Sequence, residues 1–374
     1  MSDSPRFLKK SGWTAVAGIG IFSVGFYLVT AFLLRRWLGN APAGSSPPLE
    51  PVTFFRPIKN GDSGLRRNLE IFLDAIEPED QVIFSATGGE ELRQCERLAA
   101  GRPDLDIVCL RAIEGIYRNP KINKLAQMEA LATRERWIVL DSDTIADRKF
   151  LRAFRGEWQL KNADAFSAPY AFEPACSRPA RLDALGTGLS LWPGVALLRS
   201  SGRLDFLLGA CMAVKAPALQ ALGGWKILGG SLADDHELGL LIRRAGGSVD
   251  IAATVLTVQA PDPGWKEWLL HQHRVFVTFR LCNPTGSLGI PLTQGVGVSF
   301  LFALLRPWSI ARWLLHLCIL LIRHHSANSL PGGKNSIRDV WLVSLFEPLF
   351  WVLSWLPLPI RWAGKWIRPE KLGA

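Results

Sequence analysis

A long uncharged stretch near the N-terminus places the strongest constraint on how this chain can fold. Residues Trp13–Leu34 carry no charged side chain, and Lys9-Lys10 and Arg35-Arg36 flank them. A helix of this length rises about 33 Å, enough to cross the ~30 Å hydrocarbon core of a bilayer. The stretch is longer than the apolar region of a signal peptide, and it ends in two arginines without a small-residue cleavage site. We therefore predict a transmembrane anchor over residues 1–36 rather than a cleaved signal.

Apolar segments return in the last quarter of the chain. Gly286–Leu305 is uncharged, Trp313–Ile322 follows it, and Val340–Ile360 comes after a polar loop. Nine of the 15 Trp residues lie after residue 263, and Trp favours the membrane–water interface. We expect two or three membrane-embedded pieces in residues 286–374, with the interrupted ones re-entrant or interfacial, followed by a basic Trp-rich tail.

The net charge of +10 is concentrated at the two ends. Residues 1–36 carry a net charge of +4 and residues 264–374 carry +8, whereas residues 37–263 carry −2. A nucleic-acid-binding protein would be expected to have its basic patch on the folded core. The distribution favours attraction to anionic lipid head groups and argues against a nucleic-acid partner. Six dispersed Cys without a CxxC pair argue against a disulfide framework or a structural zinc site and fit a reducing compartment.

Strand and helix patterns alternate between the apolar ends, after a Pro/Gly/Ser-rich linker over residues 37–50. The predicted strands are Val52–Phe55, Gln81–Ser85, Asp106–Leu110 and Trp137–Leu140, and the predicted helices are Leu65–Ala75, Leu92–Leu98 and Ile122–Ala132. The alternation predicts an α/β catalytic domain over residues 51–285, with a parallel sheet and helices on its faces. Ligands bind such sheets outside the carboxyl ends of the strands, so chemistry is expected after Phe55, Ser85 and Leu140.

Two carboxylates, Asp141 and Asp143, come directly after the fourth predicted strand. Carboxylates one residue apart can share a hard divalent cation, Mg²⁺ or Mn²⁺, that also binds a diphosphate. A polar turn is the alternative, because an Asp-x-Asp pattern often occurs by chance. The position at a strand end favours the metal-binding interpretation.

A second acidic motif, Asp234-Asp235-His236, precedes the helical pattern Glu237–Arg244. Acidic residues at a helix N-terminus can serve as caps, but one acid is enough for a cap. A carboxylate facing a bound donor could act as a general base. The nearby segment Leu207–Met212 is apolar with a small-residue step, so it is either core or one wall of an acceptor pocket.

Three basic motifs have both a functional and an ordinary interpretation. Arg56-Pro57-Ile58-Lys59 follows the first strand and fits either a nucleotide contact or a turn. Lys121 stands at the start of a helix, where its charge opposes the helix dipole unless an anionic partner is present. His271-Gln272-His273-Arg274 lies beside the predicted membrane region. Its Arg274 would either bind phosphate oxygens or belong to a basic interfacial helix.

In this order the motifs resemble inverting, nucleotide-sugar-dependent glycosyltransferases of the GT-A fold. More narrowly, they resemble the ceramide glucosyltransferase family, which includes bacterial hopanoid-associated relatives. The similarity covers about residues 50–280, together with one N-terminal span and a hydrophobic C-terminus. The matching segments are Phe54–Leu69, Asn119–Leu125, Asp141–Asp143, Leu208–Met212, Ala233–Gly239 and His271–Arg274.

The family pattern is three aspartates followed by a Q/R-x-x-R-W motif. The resemblance places the second aspartate on Asp141, the third on Asp235 and the motif arginine on Arg274. The first aspartate, implied to contact the nucleobase, falls near Thr87, where this chain has no Asp. Val275 stands where the family has Trp.

The resemblance implies a role for each matching residue. Asp235 and Arg274 are expected to be catalytic, and Asp141 and Asp143 to hold Mg²⁺ or Mn²⁺. Donor-binding residues are expected to be Arg56, Lys59, Thr87, Lys121, Asn123, Asp141 and Asp143. Acceptor-binding residues are expected to be Gly209, Ala210, Cys211, Asp234 and His271.

The implied reaction is transfer of a hexose, foremost glucose, from a UDP-sugar to the hydroxyl of a membrane lipid, foremost ceramide, with inversion. The catalytic domain is then expected to be cytosolic, at a bacterial inner membrane. A hopanoid polyol that receives N-acetylglucosamine is the first alternative. A polysaccharide synthase and a catalytically weak lipid-binding scaffold are the others, and the sequence leaves the oligomeric state open.

Overall fold

The computed structural model describes residues 4–40, 48–62, 64–175, 177–362 and 364–369. Half of the predicted linker, residues 41–47, lies outside the described residues. The strands are β1 (Thr53–Pro57), β2 (Gln81–Ala86), β3 (Asp106–Arg111), β4 (Arg136–Leu140), β5 (Thr144–Ile145), β6 (Ala165–Ser167), β7 (Tyr170–Phe172), β8 (Cys211–Lys215), β9 (Val249–Ile251), β10 (Leu256–Val258), β11 (Ile360–Trp362) and β12 (Lys365–Ile367).

The α-helices are α1 (Ser4–Leu38), α2 (Leu65–Leu73), α3 (Gly89–Ala100), α4 (Pro120–Met128), α5 (Arg148–Lys161), α6 (Arg178–Ser200), α7 (Ala216–Ala221), α8 (Asp234–Arg244), α9 (Trp265–Cys282), α10 (Pro284–Gly289), α11 (Gly295–Leu304), α12 (Ile310–Ala327) and α13 (Ile337–Ser354). Short 3₁₀ helices occur at Glu129–Leu131, Trp225–Leu228 and Ile290–Thr293. The four predicted strands and the predicted helices between them are confirmed within a few residues at each end.

The chain divides into two compact units. The α/β unit comprises Trp37–Glu173 and Ser201–Ala260, and the helical unit comprises Met1–Arg36, Pro174–Ser200 and Pro261–Lys371. This division differs from the boundary at residue 285 that the sequence suggested. Helices α6 and α9 group with the apolar helices because they pack against each other and against α13.

The main sheet of the α/β unit has, in the described residues, seven strands in the order β3-β2-β1-β4-β8-β6-β9. Strand β1 pairs in parallel with β2 and with β4, and β2 pairs in parallel with β3, as predicted. Strand β8 runs antiparallel to both β4 and β6. The strands β1 and β2 are buried along their whole length because helices cover both faces of the sheet.

Alternate side chains of β1 enter two separate apolar layers. Phe54 packs against Phe72 of α2, with ring centroids 5.2 Å apart, on one face of the sheet. Phe55 packs against Trp137 and Trp225 on the other face, at 5.4 Å and 6.4 Å. Each fully buried side chain of this size contributes about 1.5–3 kcal/mol. The sheet is therefore a rigid support for the loops at its strand ends.

The helical unit contains the apolar segments. Among the described residues, one helix is long and apolar enough by itself to cross a membrane, over Thr14–Leu38 of α1. Pro284–Thr293 and Gly295–Leu304 would together make a second candidate, but they are bent by 48°. Charged and polar residues lower the mean hydropathy of α12 and α13, so neither helix is a spanning candidate by length and composition. Most of the predicted basic tail forms the hairpin β11–β12.

Candidate active site

The site of the α/β unit is built where β4 ends and β8 begins. Leu140 pairs with Cys211 in the antiparallel register of these strands. The next residue, Asp141, donates its backbone N–H to the carbonyl oxygen of Ala210, 3.1 Å away. The reversal of β8 therefore places Gly209 and Ala210, which precede it, beside the carboxylates that follow β4. Cys211 is fully buried in this register.

Lys121 lies at the centre of the acidic residues. Its Nζ is 2.7 Å from Asp141 Oδ1 and 3.7 Å from Asp234 Oδ2, and it donates to the Gly209 carbonyl oxygen at 2.9 Å. Burial opposes the charge on Lys121, but Asp141 and Asp234 outweigh burial and raise the pKa of its ammonium group. A lysine at a helix start was expected to need an anionic partner. Asp141 and Asp234, both predicted site residues, are those partners.

Asn119 fixes the start of α4, which carries Lys121. Its side-chain oxygen accepts from the backbone N–H groups of Lys121 and Ile122, and Pro120 occupies the first turn. The side-chain amide of Asn119 donates to Ser231 O at 3.0 Å and to Asp234 Oδ1 at 3.3 Å. One residue therefore caps α4 and ties it to the loop before α8. This role of Asn119 was not predicted, although an Asn before Pro is a typical N-cap pattern.

Asp235 lies beside Gly209, on the first turn of α8. A Cβ built on Gly209 would stand 3.0 Å from Asp235 Oδ2, so the absence of a side chain there leaves room for the carboxylate. The N-cap of α8 is Ala233, and no side chain caps this helix. Gly239 allows α8 to approach Phe206, because a Cβ at Gly239 would lie only 2.5 Å from the Cα of Phe206. Neither aspartate therefore serves as a side-chain N-cap of α8.

Burial and mutual repulsion keep these carboxyl groups less acidic than usual. Burial, followed by the charge of Asp234, raises the pKa of Asp235 to about 6. Burial, followed by the charge of Asp141, raises the pKa of Asp143 to about 6. Burial also raises the pKa of Asp141, even though Lys121 lies beside it. The site therefore carries negative charge that its own cations do not fully balance.

The residues fit an open metal site rather than a closed one. No group of three or more His, Cys, Asp or Glu is arranged to hold a metal ion within the described residues. Burial raises the pKa values of Asp141 and Asp143, the neighbouring carboxylates add to the rise, and a bound divalent cation would lower both pKa values. Mg²⁺ is commonly held by one or two carboxylates plus substrate phosphates. This donor set therefore suits a cation that arrives with a diphosphate.

Arg56 lies beneath the acidic loop instead of at the surface. It is fully buried, its Nη1 donates to Thr144 Oγ1 at 2.6 Å, and its guanidinium lies 4.8 Å from the Phe72 ring centroid. Burial lowers its pKa to about 10, although Asp143 and Asp141 favour its charge. From this position Arg56 gives the acidic loop electrostatic support from below, and its contact with the donor stays a prediction.

The other predicted donor residues hold the loops around the site. The backbone N–H of Lys59 donates to Ser142 Oγ at 3.4 Å, and Thr87 bonds to Asn60. Asn123 is engaged by the preceding loop, accepting from the Tyr117 N–H and donating to Ile113 O. The sequence analysis did not assign Lys124, whose Nζ donates to Ile58 O at 2.7 Å and ties α4 to the end of β1.

The two glutamates near Thr87 are engaged elsewhere. Glu90 is paired with Arg93 and Arg97 on α3. Glu91 accepts from the backbone N–H of Gly61 at 2.9 Å. Both carboxylates are thus held by partners within the protein.

His271 and Arg274 lie on α9 of the helical unit. His271 Nδ1 is 2.7 Å from Asp183 Oδ1, and Gln272 Nε2 donates to the same oxygen at 2.9 Å. Asp183 is buried on α6, and sequence reasoning did not detect it because 88 residues separate it from His271. Arg274 is half-buried, and its carbonyl oxygen accepts from Thr278 Oγ1.

An α/β sheet with paired carboxylates at its strand ends is the arrangement of a nucleotide-sugar glycosyltransferase of the GT-A type. The chain belongs to Glycosyl transferase family 21, whose sequence model matches residues 15–371. The predicted resemblance is thus confirmed at the level of the family and of the fold. No curated protein matches the chain significantly by sequence.

A solved structure shares the fold at low sequence identity. A mannosyltransferase from Pyrobaculum calidifontis, PcManGT, solved in complex with GDP-Man and Mn²⁺, has a TM-score of 0.54 and 17% identity. That match covers 92% of this chain and 96% of the mannosyltransferase. S. aureus TarS residues 1–349 match with a TM-score of 0.40 and 9% identity, covering 85% of this chain and 96% of that one.

Proposed function

We propose that this glycosyltransferase moves a hexose, foremost glucose, from a UDP-sugar to the hydroxyl of a membrane lipid, foremost ceramide, with inversion. The position of Asp235 carries the proposal. Its carboxylate lies beside Gly209, on the first turn of α8 next to Asp234, with a pKa raised to about 6. A partly buried carboxylate with a pKa near the working pH suits a general base.

The proposed reaction is a single displacement. Asp235 takes the proton of the acceptor hydroxyl while its oxygen bonds to the anomeric carbon of the sugar. The bond from that carbon to the UDP oxygen breaks at the same time, so an α-linked donor gives a β-glycoside. Lys121 keeps Asp141 and Asp234 in place around the base. Arg274 keeps the role that the sequence motif implies, which is to hold the departing phosphates.

A divalent cation is the proposed cofactor. Asp141 and Asp143 would hold Mg²⁺ or Mn²⁺, which would neutralise charge on the diphosphate. The fold relative from Pyrobaculum calidifontis contains Mn²⁺ with its nucleotide sugar, and this supports the proposal.

A lipid acceptor accounts for the apolar helical unit. Large apolar side chains on and between α11 and α12 are more than half exposed, and they include Leu301, Leu305, Trp308, Ile310 and Leu314. Exposed apolar surface of this extent is typical of membrane contact. Because nucleotide sugars are cytosolic, we place the α/β unit on the cytosolic side of the membrane. The membrane in this proposal is a bacterial inner membrane.

Lipid analysis of a host that expresses the chain tests the acceptor. With a ceramide supply, the wild-type chain should produce a hexosylceramide, whereas an Asp235→Asn chain should not. A hexosaminylated hopanoid instead would support the first alternative. No new lipid, together with no UDP release in membranes, would favour the lipid-binding scaffold and contradict the proposal.

Removal of residues 1–36 should leave the protein attached to membranes. The remaining chain keeps α11, α12 and their exposed apolar side chains, and interfacial Trp residues add to the attachment. The truncated protein should resist extraction by carbonate and should require detergent, like the full chain. Recovery as a detergent-free monomer with full activity on lipid would contradict this placement of the acceptor.

Replacement of Lys121 by Met should lower kcat/KM by about 10²-fold and move the acidic limb of its pH profile upward. Without the ammonium group, the carboxylates around it would bind protons more readily. The measurement is UDP release as a function of pH. Lys226→Met, at an exposed lysine, is the matched control and should behave as wild type. A uniform loss at every pH would indicate a structural role for Lys121 only.

A further inference from the structure

The helical unit contains a partly open cavity of about 310 Å³, whose lining includes none of the predicted site residues. Its walls are largely aromatic and aliphatic, with Phe22 and Phe26 from α1 and Phe276 and Phe279 from α9. Ligand sites in proteins usually have volumes of about 300–1,000 Å³, so this one is at the small end. It suits one acyl chain with a small head rather than an entire two-chain phospholipid.

Two buried hydrogen-bond donors line the same cavity. Gln294 and Arg323 are 4% and 3% exposed. Gln294 Nε2 and Arg323 Nε make no hydrogen bond to any residue that the structure describes. Buried polar groups normally have partners, and a buried donor without one is costly. Oxygen atoms of a ligand would satisfy both donors.

The positive charge of Arg323 in the cavity wall is balanced by a neighbouring carboxylate. Arg323 Nη2 donates to Glu347 Oε1 at 2.7 Å, and both side chains are buried in the wall. The Arg323 guanidinium also lies 4.5 Å from the ring centroid of Tyr27. A phosphate or carboxylate here would meet the negative charge of Glu347 in a poorly solvated place. An uncharged head with carbonyl or hydroxyl oxygens avoids that repulsion.

We propose that the cavity binds the acyl chain of an uncharged lipid, whose ester or hydroxyl oxygens accept from Gln294 and Arg323. The aromatic side chains contact the chain, and the two donors bind the head. This site lies in the helical unit alone and does not depend on the proposed glycosyl transfer.

Gly194 on α6 offers a way to fill the cavity. It lines the cavity, and a Cβ built there meets no atom within 4 Å, so a leucine side chain can enter the space. Gly25 on α1 is the matched control, because it also has no atom within 4 Å of a Cβ but does not line the cavity. Both changes replace a helical glycine with leucine, so general effects on helix stability are shared.

The probe is a monoacylglycerol with a photoactivatable diazirine in its chain, added to phosphatidylcholine vesicles that contain the full-length protein. Cross-linked peptides are identified by mass spectrometry. We expect labelling of the peptides that contain Phe22–Phe26 and Phe276–Phe279. Labelling should fall about tenfold in Gly194→Leu, which corresponds to about 1.4 kcal/mol of binding free energy, and should be unchanged in Gly25→Leu. Equal labelling of these peptides in all three proteins would overturn the proposal.

Competition tests the chemistry of the head. Unlabelled monooleoylglycerol should displace the probe, and lysophosphatidic acid with the same chain should do so at least about tenfold less well. Gln294→Leu, which removes one donor, should weaken the binding of monooleoylglycerol. Equal competition by the anionic lipid would contradict the assigned head group.

The Asp235→Asn variant separates this site from the proposed function. It should bind the monoacylglycerol as wild type does, whether or not glycosyl transfer occurs. Loss of labelling in this variant, with unchanged thermal unfolding, would show that the lipid is bound at the acidic site instead. It would thereby overturn the cavity assignment.

Discussion

Replacement of Asp235 by Asn should lower turnover by ~10²–10⁴-fold while the affinity for UDP is retained. An amide has nearly the same shape as the carboxylate but cannot take a proton from the acceptor hydroxyl. The measurements are UDP release under saturating donor and UDP binding by calorimetry. Near-normal turnover would show that the base lies elsewhere.

Asp234→Asn is the matched comparison, because it changes the neighbouring carboxylate. Asp234 Oδ1 accepts from Asn119, and an amide oxygen can do the same. We expect a much smaller loss of turnover than for Asp235→Asn. The charge of Asp234 also helps to raise the pKa of Asp235, so its removal should lower that pKa.

The pH profile follows from the same carboxylate. Burial and then Asp234 raise the pKa of Asp235 to about 6, above the ordinary range of an aspartate. The base is then ionised above about pH 6, and kcat/KM should fall as the pH decreases through that value. In Asp234→Asn the fall should begin at a lower pH. An acidic limb that does not move would indicate that another group is titrating.

Chelation of divalent cations should abolish activity, and Mg²⁺ or Mn²⁺ should restore it. Asp141 and Asp143 lie one residue apart, with Lys121 beside Asp141, and a UDP-sugar would add the negative charge of two phosphates to theirs. Asp143→Asn should require a higher metal concentration for half-maximal activity. Calorimetric titration of Mn²⁺ in the presence of UDP gives a readout other than turnover, and its signal should weaken in the same variant.

Full activity in EDTA would contradict the metal assignment. The charge of the leaving group would then have to be stabilised by protein cations, of which Lys121 is the one beside Asp141. Lys121→Met would lose far more activity in that case than the loss expected above.

The strands that support the site were predictable because they are continuous apolar runs. Segments such as Gln81–Ala86 are buried on both faces, and that pattern is typical of the strands of a parallel sheet covered by helices. The direction of β8 was not predictable, since its pairing with β4 and β6 depends on contacts across the fold. The same reversal places Gly209 beside Asp235.

Two residues show which parts of the site a sequence can reveal. The need for an anionic partner of Lys121 followed from its place at a helix start, and Asp141 and Asp234 supply the charge. Arg56 was predicted to contact the donor, but it shares the face of β1 that carries Phe54 and is therefore buried. The period of two along a strand indicates this, whereas the basic motif by itself suggests exposure.

The most direct test of the account is product analysis with purified protein in liposomes that contain ceramide. With ¹³C-labelled UDP-glucose and Mg²⁺, the wild-type protein should form a labelled glucosylceramide, and NMR should show the β configuration at the anomeric carbon. The Asp235→Asn protein in the same liposomes should form almost none. UDP release without a labelled lipid, or a product with the α configuration, would contradict the proposed transfer to lipid with inversion.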